Sequence, residues 1–242
     1  MPGAVTKDIT LEIPGSNTVT GRVSAPLDPM PDAPALLLAH GANNDLDHPL
    51  LVYVAAGLAR SIGATVLRFN FPYAERGDKP AADSPDVLMK AFRHAYLQLT
   101  EREAPAGAPA FVGGKSLGGR IAAELISRRP EGDGLQTMGL VQLGYPLHAP
   151  GRTDKINLKP LRHIDVPSLF CEGTRDAFCD LDFLRPVLPN LLAPAELYVV
   201  EGGDHSLLLP RSSGRAADAA YPEIVARLAH FLTAVSLSTS AD

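Results

Sequence analysis

A three-layer α/β architecture is what this sequence predicts: a mostly parallel sheet with helices on both faces, entered through an N-terminal antiparallel hairpin. Three observations carry it. Two β-like runs near the start are separated by turn residues; short apolar runs then alternate with amphipathic stretches; and one serine stands between glycines where an apolar run gives way to a helical pattern. Strand–helix alternation of this kind returns the chain to the same edge of each new strand, so the strands lie parallel and the helices cover both faces.

The elements follow in order. Ile9-Thr10-Leu11-Glu12-Ile13 alternates apolar and polar residues, Pro14-Gly15-Ser16-Asn17 supplies a turn, and Thr18 to Val23 forms the returning strand. Six further strands are expected at Ala35 to Ala39, Thr65 to Phe69, Ala110 to Val112, Met138 to Leu143, Val166 to Cys171 and Glu196 to Val200. Between and after them, apolar residues recur at helical spacing in Leu50 to Ser61, Val87 to Arg102, Leu117 to Arg128, Leu181 to Leu188 and Tyr221 to Leu232. A chain of 242 residues buries a sizeable core as one α/β domain, so a single domain over residues 1–242 is expected. Proline and glycine are plentiful but dispersed at element ends, and no internal repeat or low-complexity tract is evident.

In parallel sheets the ligand site lies beyond the carboxyl ends of the strands, so the residues just after each apolar run should converge. At Gly114-Lys115-Ser116-Leu117-Gly118 that position holds a nucleophile elbow: residues without bulk on either side allow a sharp strand-to-helix turn that exposes the serine. Gly114-Lys115-Ser116 is also how a phosphate-binding loop ends, but that motif needs a glycine where Pro109 stands, and proline brings no amide to a phosphate cradle.

A serine hydroxyl is a poor nucleophile unless a base takes its proton and a carboxylate orients that base. Of seven histidines, His205 alone combines a loop directly after a strand run with the last such place in chain order. His40 lies in an earlier loop and reads as a brace, His48 and His94 sit on helix-like stretches, and His230 is inside the terminal apolar helix. The loop after Cys171 offers Asp176, Asp180 and Asp182. Asp180 has the position of a helix N-cap before Leu181, which leaves Asp176 nearest the strand end as the orienting acid. The order Ser116, Asp176, His205 is that of α/β-hydrolases. Oxyanion donors would be the amide of Leu117, at the start of the helix after the serine, and that of Ala42 or Asn43 in His40-Gly41-Ala42-Asn43.

The resemblance can be stated on the residues. The chain resembles the α/β-hydrolase superfamily over nearly its whole length, in particular its small uncapped, dienelactone-hydrolase-like members. His40-Gly41-Ala42, Arg68-Phe69-Asn70-Phe71-Pro72-Tyr73, Gly113-Gly114-Lys115-Ser116, Gly144-Tyr145-Pro146-Leu147-His148 and Gly173-Thr174-Arg175-Asp176 are similar to a branch of predicted hydrolases that includes the testis-expressed protein 30-like and KAT8 regulatory complex subunit 3-like domains. The resemblance implies a serine hydrolase acting on carboxylic esters or thioesters through an acyl-enzyme. The rival reading is a catalytically silent interaction protein of the same fold, which would need a broken triad.

Between Leu143 and Val166 the chain is too short for a helical cap domain, so an open, shallow site is expected, walled by the loops 144–163 and 70–84. Asn43, Tyr73, Tyr145 and His148 are its candidate substrate-binding residues. Arg76, Lys79, Lys115 and Arg152 would favour an anionic substrate if they faced it; as ordinary surface cations they would simply be solvated.

A net charge of -5, from 22 Lys+Arg against 27 Asp+Glu, gives no electrostatic reason to expect nucleic acid or an anionic membrane as partner. A small-molecule ester is the expected ligand; the sequence leaves the oligomeric state open. Cys171 and Cys179 lack neighbours at zinc spacing, and neither a metal nor a cofactor is expected. No apolar run approaches the roughly 20 residues that span a bilayer, and the first residues lack a basic start followed by an apolar stretch, so a cytoplasmic protein is expected.

Overall fold

The computed structural model describes residues 4–239, which form an eight-stranded sheet between two layers of helices. The chain runs β1 (Ala4–Leu11), β2 (Val19–Pro26), β3 (Ala35–Ala39), α1 (Pro49–Ile62), β4 (Thr65–Phe69), α2 (Pro72–Glu75), α3 (Pro85–Gln98), β5 (Ala110–Lys115), α4 (Leu117–Ser127), β6 (Leu140–Leu143), β7 (Ser168–Gly173), α5 (Leu181–Leu184), β8 (Ala195–Val200) and α6 (Tyr221–Thr239). In space the strands follow the order β1-β2-β4-β3-β5-β6-β7-β8. β2 pairs antiparallel with both β1 and β4, and every other pair is parallel.

β3 and β4 are buried along their whole length, Thr65 and Arg68 of β4 included, as strands covered on both faces must be. Alternate residues of one strand serve different layers. Leu37 and Val112 pack with α3 and α4, whereas Leu36, Leu38 and Phe111 pack with α1 and α6. The loops at the strand carboxyl ends are thereby pinned to a rigid base.

Boundaries depart from the expected ones where a specific residue intervenes. Pro186 cannot supply the amide that would extend α5, so the helix expected to reach Leu188 ends at Leu184 and a separate 3-10 turn forms at Leu188–Asn190. The stretch expected to be helical to Arg102 is α-helical to Gln98 and closes in a π turn at Leu99–Glu103. β5 and β7 run further towards the site than expected, to Lys115 and Gly173. The short helix α2, after Pro72, has too few residues to show a period. No helix of the described residues is long and apolar enough to cross a membrane.

Candidate active site

Ser116 is the single residue between β5 and α4, with φ 50 and ψ -113. A residue with a β-carbon does not rest there unless its surroundings hold it. Its amide donates to the Leu143 carbonyl at 3.2 Å, and its carbonyl accepts from Arg120 at 3.0 Å. The flanking glycines are required by close approach rather than by backbone angle: a β-carbon on Gly114 or on Gly118 would lie 2.4 Å from the Ala39 carbonyl oxygen. Without side chains there, α4 presses onto β3 and the serine stands up between them.

Asp176 and His205 come from neighbouring loops that touch through glycines. A β-carbon on Gly173 would lie 2.2 Å from the Gly203 oxygen, and that oxygen accepts from the Arg175 amide at 2.8 Å. The His205 loop is shaped by Asp204, whose Oδ1 accepts from the amides of Ser206 at 2.7 Å and Leu208 at 3.0 Å, with Leu207 between them at φ 59. Asp176 Oδ1 accepts from the Phe178 amide at 2.7 Å.

The three side chains meet in one hydrogen-bonded chain. His205 Nδ1 lies 2.9 and 2.8 Å from Asp176 Oδ1 and Oδ2, and His205 Nε2 lies 2.8 Å from Ser116 Oγ. The Asp176 side chain is 0% exposed and that of His205 18%. With Nδ1–H donating to a carboxylate that water cannot reach, the lone pair on Nε2 is the one presented to the serine hydroxyl. Such an arrangement can take a proton from Ser116 as its oxygen attacks, and can hold the resulting imidazolium beside a buried negative charge.

Ala42 and Leu117 flank the serine from two sides. A β-carbon on Gly41 would lie 3.3 Å from Ser116 Cβ, so the loop after β3 abuts the elbow. Neither the Ala42 amide nor that of Leu117 donates to a group of the protein among the described residues. The loop is anchored from β4: Asn70 Oδ1 accepts from the Leu46 amide at 2.8 Å, and Arg68 Nη1 donates to the Leu46 carbonyl at 2.5 Å. Asn43 is exposed at φ 56, a conformation asparagine tolerates, and its carbonyl accepts from Asn44 Nδ2 at 3.0 Å.

Three of the expected substrate-binding residues are placed otherwise. Tyr145 is fully buried with its ring against Phe170, because the residue after Gly144 turns inwards to the core, so it is no wall of an open site. Tyr73 is also buried and gives its hydroxyl to the Gly41 carbonyl at 3.3 Å. His148 uses both ring nitrogens inside the protein: Nε2 accepts from the Asp180 amide at 3.0 Å, so Nδ1–H donates to the Ala149 carbonyl at 3.0 Å. It ties the loop after β6 to the loop after β7. Asp180 caps α5 through the Asp182 amide, and its side chain is not part of the hydrogen-bonded chain.

Of the candidate cations Lys79 is exposed at the surface, whereas the other three are engaged or buried. Arg76 pairs with Asp78 and Asp83, and Arg152 with Asp154. Lys115 is 4% exposed at the end of β5; burial lowers its pKa, opposed chiefly by the negative charges of Asp176 and Asp204. Glu172, fully buried, accepts the Tyr145 amide at 2.8 Å, and burial raises its pKa well above the ordinary value. Among the described residues no group of three or more His, Cys, Asp or Glu side chains is placed to hold a metal ion.

Sequence reasoning missed Phe178, whose half-buried ring lies on that of His205, and it missed the loop-shaping part of Asp204. An aromatic two residues beyond the candidate acid, and an acid directly before the candidate base, were the signals available.

Residues 32–233 match the model of a family described as Alpha/beta hydrolase domain. Among solved structures, the chain is similar to dienelactone hydrolase from Anabaena variabilis, with 19% identity, a TM-score of 0.69, and 95% of this chain and 96% of that one covered. It is similar to Est1E from Butyrivibrio proteoclasticus, with 11% identity, a TM-score of 0.70, and 94% and 98% covered. It is also similar to XC6422 from Xanthomonas campestris, described as an α/β serine hydrolase without lid, with 18% identity, a TM-score of 0.61, and 94% of each chain covered.

Proposed function

The chain belongs to the Alpha/beta hydrolase domain family, and on that premise we propose that it is a serine hydrolase cleaving carboxylic esters or thioesters of small acyl groups. The observation that carries the reading is His205, bonded through one ring nitrogen to Ser116 Oγ at 2.8 Å and through the other to both oxygens of Asp176. In this reading Ser116 attacks the carbonyl carbon while His205 Nε2 takes its proton. The oxyanion is met by the amides of Ala42 and Leu117. The imidazolium then protonates the leaving alcohol or thiol, and water, activated by the same histidine, releases the acyl group from Ser116.

Two features favour small, unshielded substrates. The chain between β6 and β7 is tied down by His148 and carries no regular helix of its own, and Ala42 and Asn43 stand exposed beside the serine. The similar proteins described as a dienelactone hydrolase and as a serine hydrolase without lid point the same way. Within the family we place the chain, on the motifs His40-Gly41-Ala42 and Gly173-Thr174-Arg175-Asp176, beside the testis-expressed protein 30-like and KAT8 regulatory complex subunit 3-like branch, acting in the cytoplasm on a small-molecule ester.

A fluorophosphonate probe with peptide mapping, run beside p-nitrophenyl acetate hydrolysis, tests the reading. Label on Ser116, and loss of both label and hydrolysis in a folded Ser116→Ala protein, is the expected result; removing the nucleophile of a triad costs on the order of 10⁶ in turnover. Undiminished hydrolysis by Ser116→Ala would overturn it, and so would an unlabelled, inactive parent protein.

A further inference from the structure

Gly41, directly before the Ala42 amide, has a carbonyl with an unusual number of donors. His40 Nδ1 lies 2.8 Å from it, the Tyr73 hydroxyl donates at 3.3 Å and the Asn44 amide at 3.3 Å. His40 is itself fixed. Its Nε2 accepts from the Phe71 amide at 3.0 Å, which leaves the ring proton on Nδ1, and its ring meets those of Phe71 and Tyr73 edge-on at 5.0 and 5.7 Å. Burial pushes the His40 pKa down to about 4, so this neutral tautomer persists at the pH of any ordinary assay.

A trans peptide unit is planar, and its C=O and N–H point in opposite directions. A carbonyl held inwards by buried donors therefore holds the N–H of the next residue outwards. His40 and Tyr73 are 0% and 1% exposed, Ala42 is exposed, and Gly41 abuts Ser116.

We propose that Tyr73, with His40, is a positioning residue of the oxyanion site: by holding the Gly41 carbonyl they aim the Ala42 N–H at the oxygen that becomes negative when Ser116 attacks. The inference rests on the serine-hydrolase reading above. Tyr73 acts from behind the loop, so removing its hydroxyl breaks no contact with substrate. What it loosens is a donor that matters only when charge develops, and an interaction of that kind enters kcat and not ground-state binding.

The test is Tyr73→Phe, which keeps the ring and deletes one oxygen. It is assayed with p-nitrophenyl acetate and with phenylboronic acid, whose tetrahedral serine adduct presents an oxygen to the same amides. The expected result is a kcat lower by about threefold to thirtyfold, short of the 10²–10³ lost when an oxyanion donor is removed outright. KM should stay unchanged, and boronate affinity should weaken by the same factor as kcat. In the parent protein, the amide proton resonances of both Ala42 and Leu117 should move on boronate binding. That arm needs no variant and holds even if Tyr73→Phe folds poorly. A kcat and boronate affinity equal to the parent's, or a Leu117 shift without an Ala42 shift, overturns the clamp alone. A Ser116→Ala protein that still hydrolyses ester overturns the serine reading beneath it.

Discussion

Phe178 lies with its ring against the imidazole of His205, centroids 4.3 Å apart and planes inclined by 32°. The same residue's amide donates to Asp176 Oδ1 at 2.7 Å, so one turn after β7 sets both the carboxylate that orients His205 and the surface on which its ring rests. An aromatic face attracts a cation, and in the proposed reaction the imidazole becomes one as it takes the serine proton.

Replacing Phe178 by alanine should therefore lower kcat more than it raises KM, by about twofold to thirtyfold, the equivalent of the roughly 0.5–2 kcal/mol that a cation over an aromatic face is worth. Phe178→Tyr should restore most of the loss. Steady-state kinetics on a small ester, where leaving-group contacts are few, give the answer; unchanged kcat in Phe178→Ala would show that the ring only fills space.

Asp176, Asp180 and Asp182 lie within one loop and have different tasks. Asp176→Asn should fold with a melting temperature near the parent's and lose turnover by about 10⁴, because an amide facing Nδ1 favours the wrong imidazole tautomer. Asp180→Asn keeps a capping oxygen for the Asp182 amide and should cost at most about 1 kcal/mol in stability with little change in rate. Asp182→Asn should be close to silent. A rate collapse at Asp180 or Asp182, with Asp176→Asn unaffected, would move the orienting role from Asp176 to that carboxylate.

Much of this was legible in the sequence because periodicity and loop position are local signals. β3 and β4 begin and end at the expected residues, and the residues just after the strands do converge, bringing Ser116, Asp176 and His205 together. What was not legible depends on which way a side chain turns at a strand end. Tyr145 and His148 follow β6 as expected, but the positive φ of Gly144 directs Tyr145 into the core, and His148 is claimed by the Asp180 amide. Lys115 continues the alternation of β5 into the interior, which a strand expected to end at Val112 could not reveal. Phe178 reaches His205 from another loop, and its place two residues beyond Asp176 does not by itself encode which ring it meets.

Gly118→Ala should be strongly destabilising although alanine is the better helix former. The added carbon would meet the Ala39 carbonyl oxygen at 2.4 Å and its carbon at 2.6 Å, and backbone cannot swing aside as a side-chain tip can. Overpacking of this kind costs typically about 1–3 kcal/mol. Thermal melts read the loss directly; a Gly118→Ala protein as stable as the parent would show that α4 can lift from β3 without penalty.

Stability should fall on mild acidification, and histidines account for the window. Burial lowers both His40 and His48 from 6.5 to about 4, His48 with a further push from the Lys115 charge. The unfolded chain takes up protons below 6.5 that the folded one refuses until about 4, so the stability these groups contribute is intact above 6.5 and drains away as pH falls between those values. Glu75, held below its ordinary 4.5 by bonds from Thr20 and Asn70, adds a loss only further down. Denaturant titrations between the two histidine limits should show a slope of up to about 1.4 kcal/mol per pH unit for each histidine. His48→Gln should flatten that slope; an identical slope in the variant would remove His48 from the account.

Glu172 makes the opposite prediction on the alkaline side. Its carboxyl is buried beneath the site, where Oε1 accepts the Tyr145 amide at 2.8 Å and the buried Cys179 thiol is a further hydrogen-bonding neighbour. Burial is the largest cause of its raised pKa, with the Asp176 charge acting in the same direction. The folded protein thus keeps a proton that the unfolded chain has already released above the ordinary carboxylate range. The stability gained is fully present below that range and is lost as pH rises through the raised value. Glu172→Gln retains an acceptor for the Tyr145 amide and cannot ionise. Its melting temperature should match the parent's in mild acid and exceed it increasingly as pH rises towards the range where thiols ionise. Melts of the two proteins across that span decide the point: parallel curves would mean that Glu172 is already charged in the folded state.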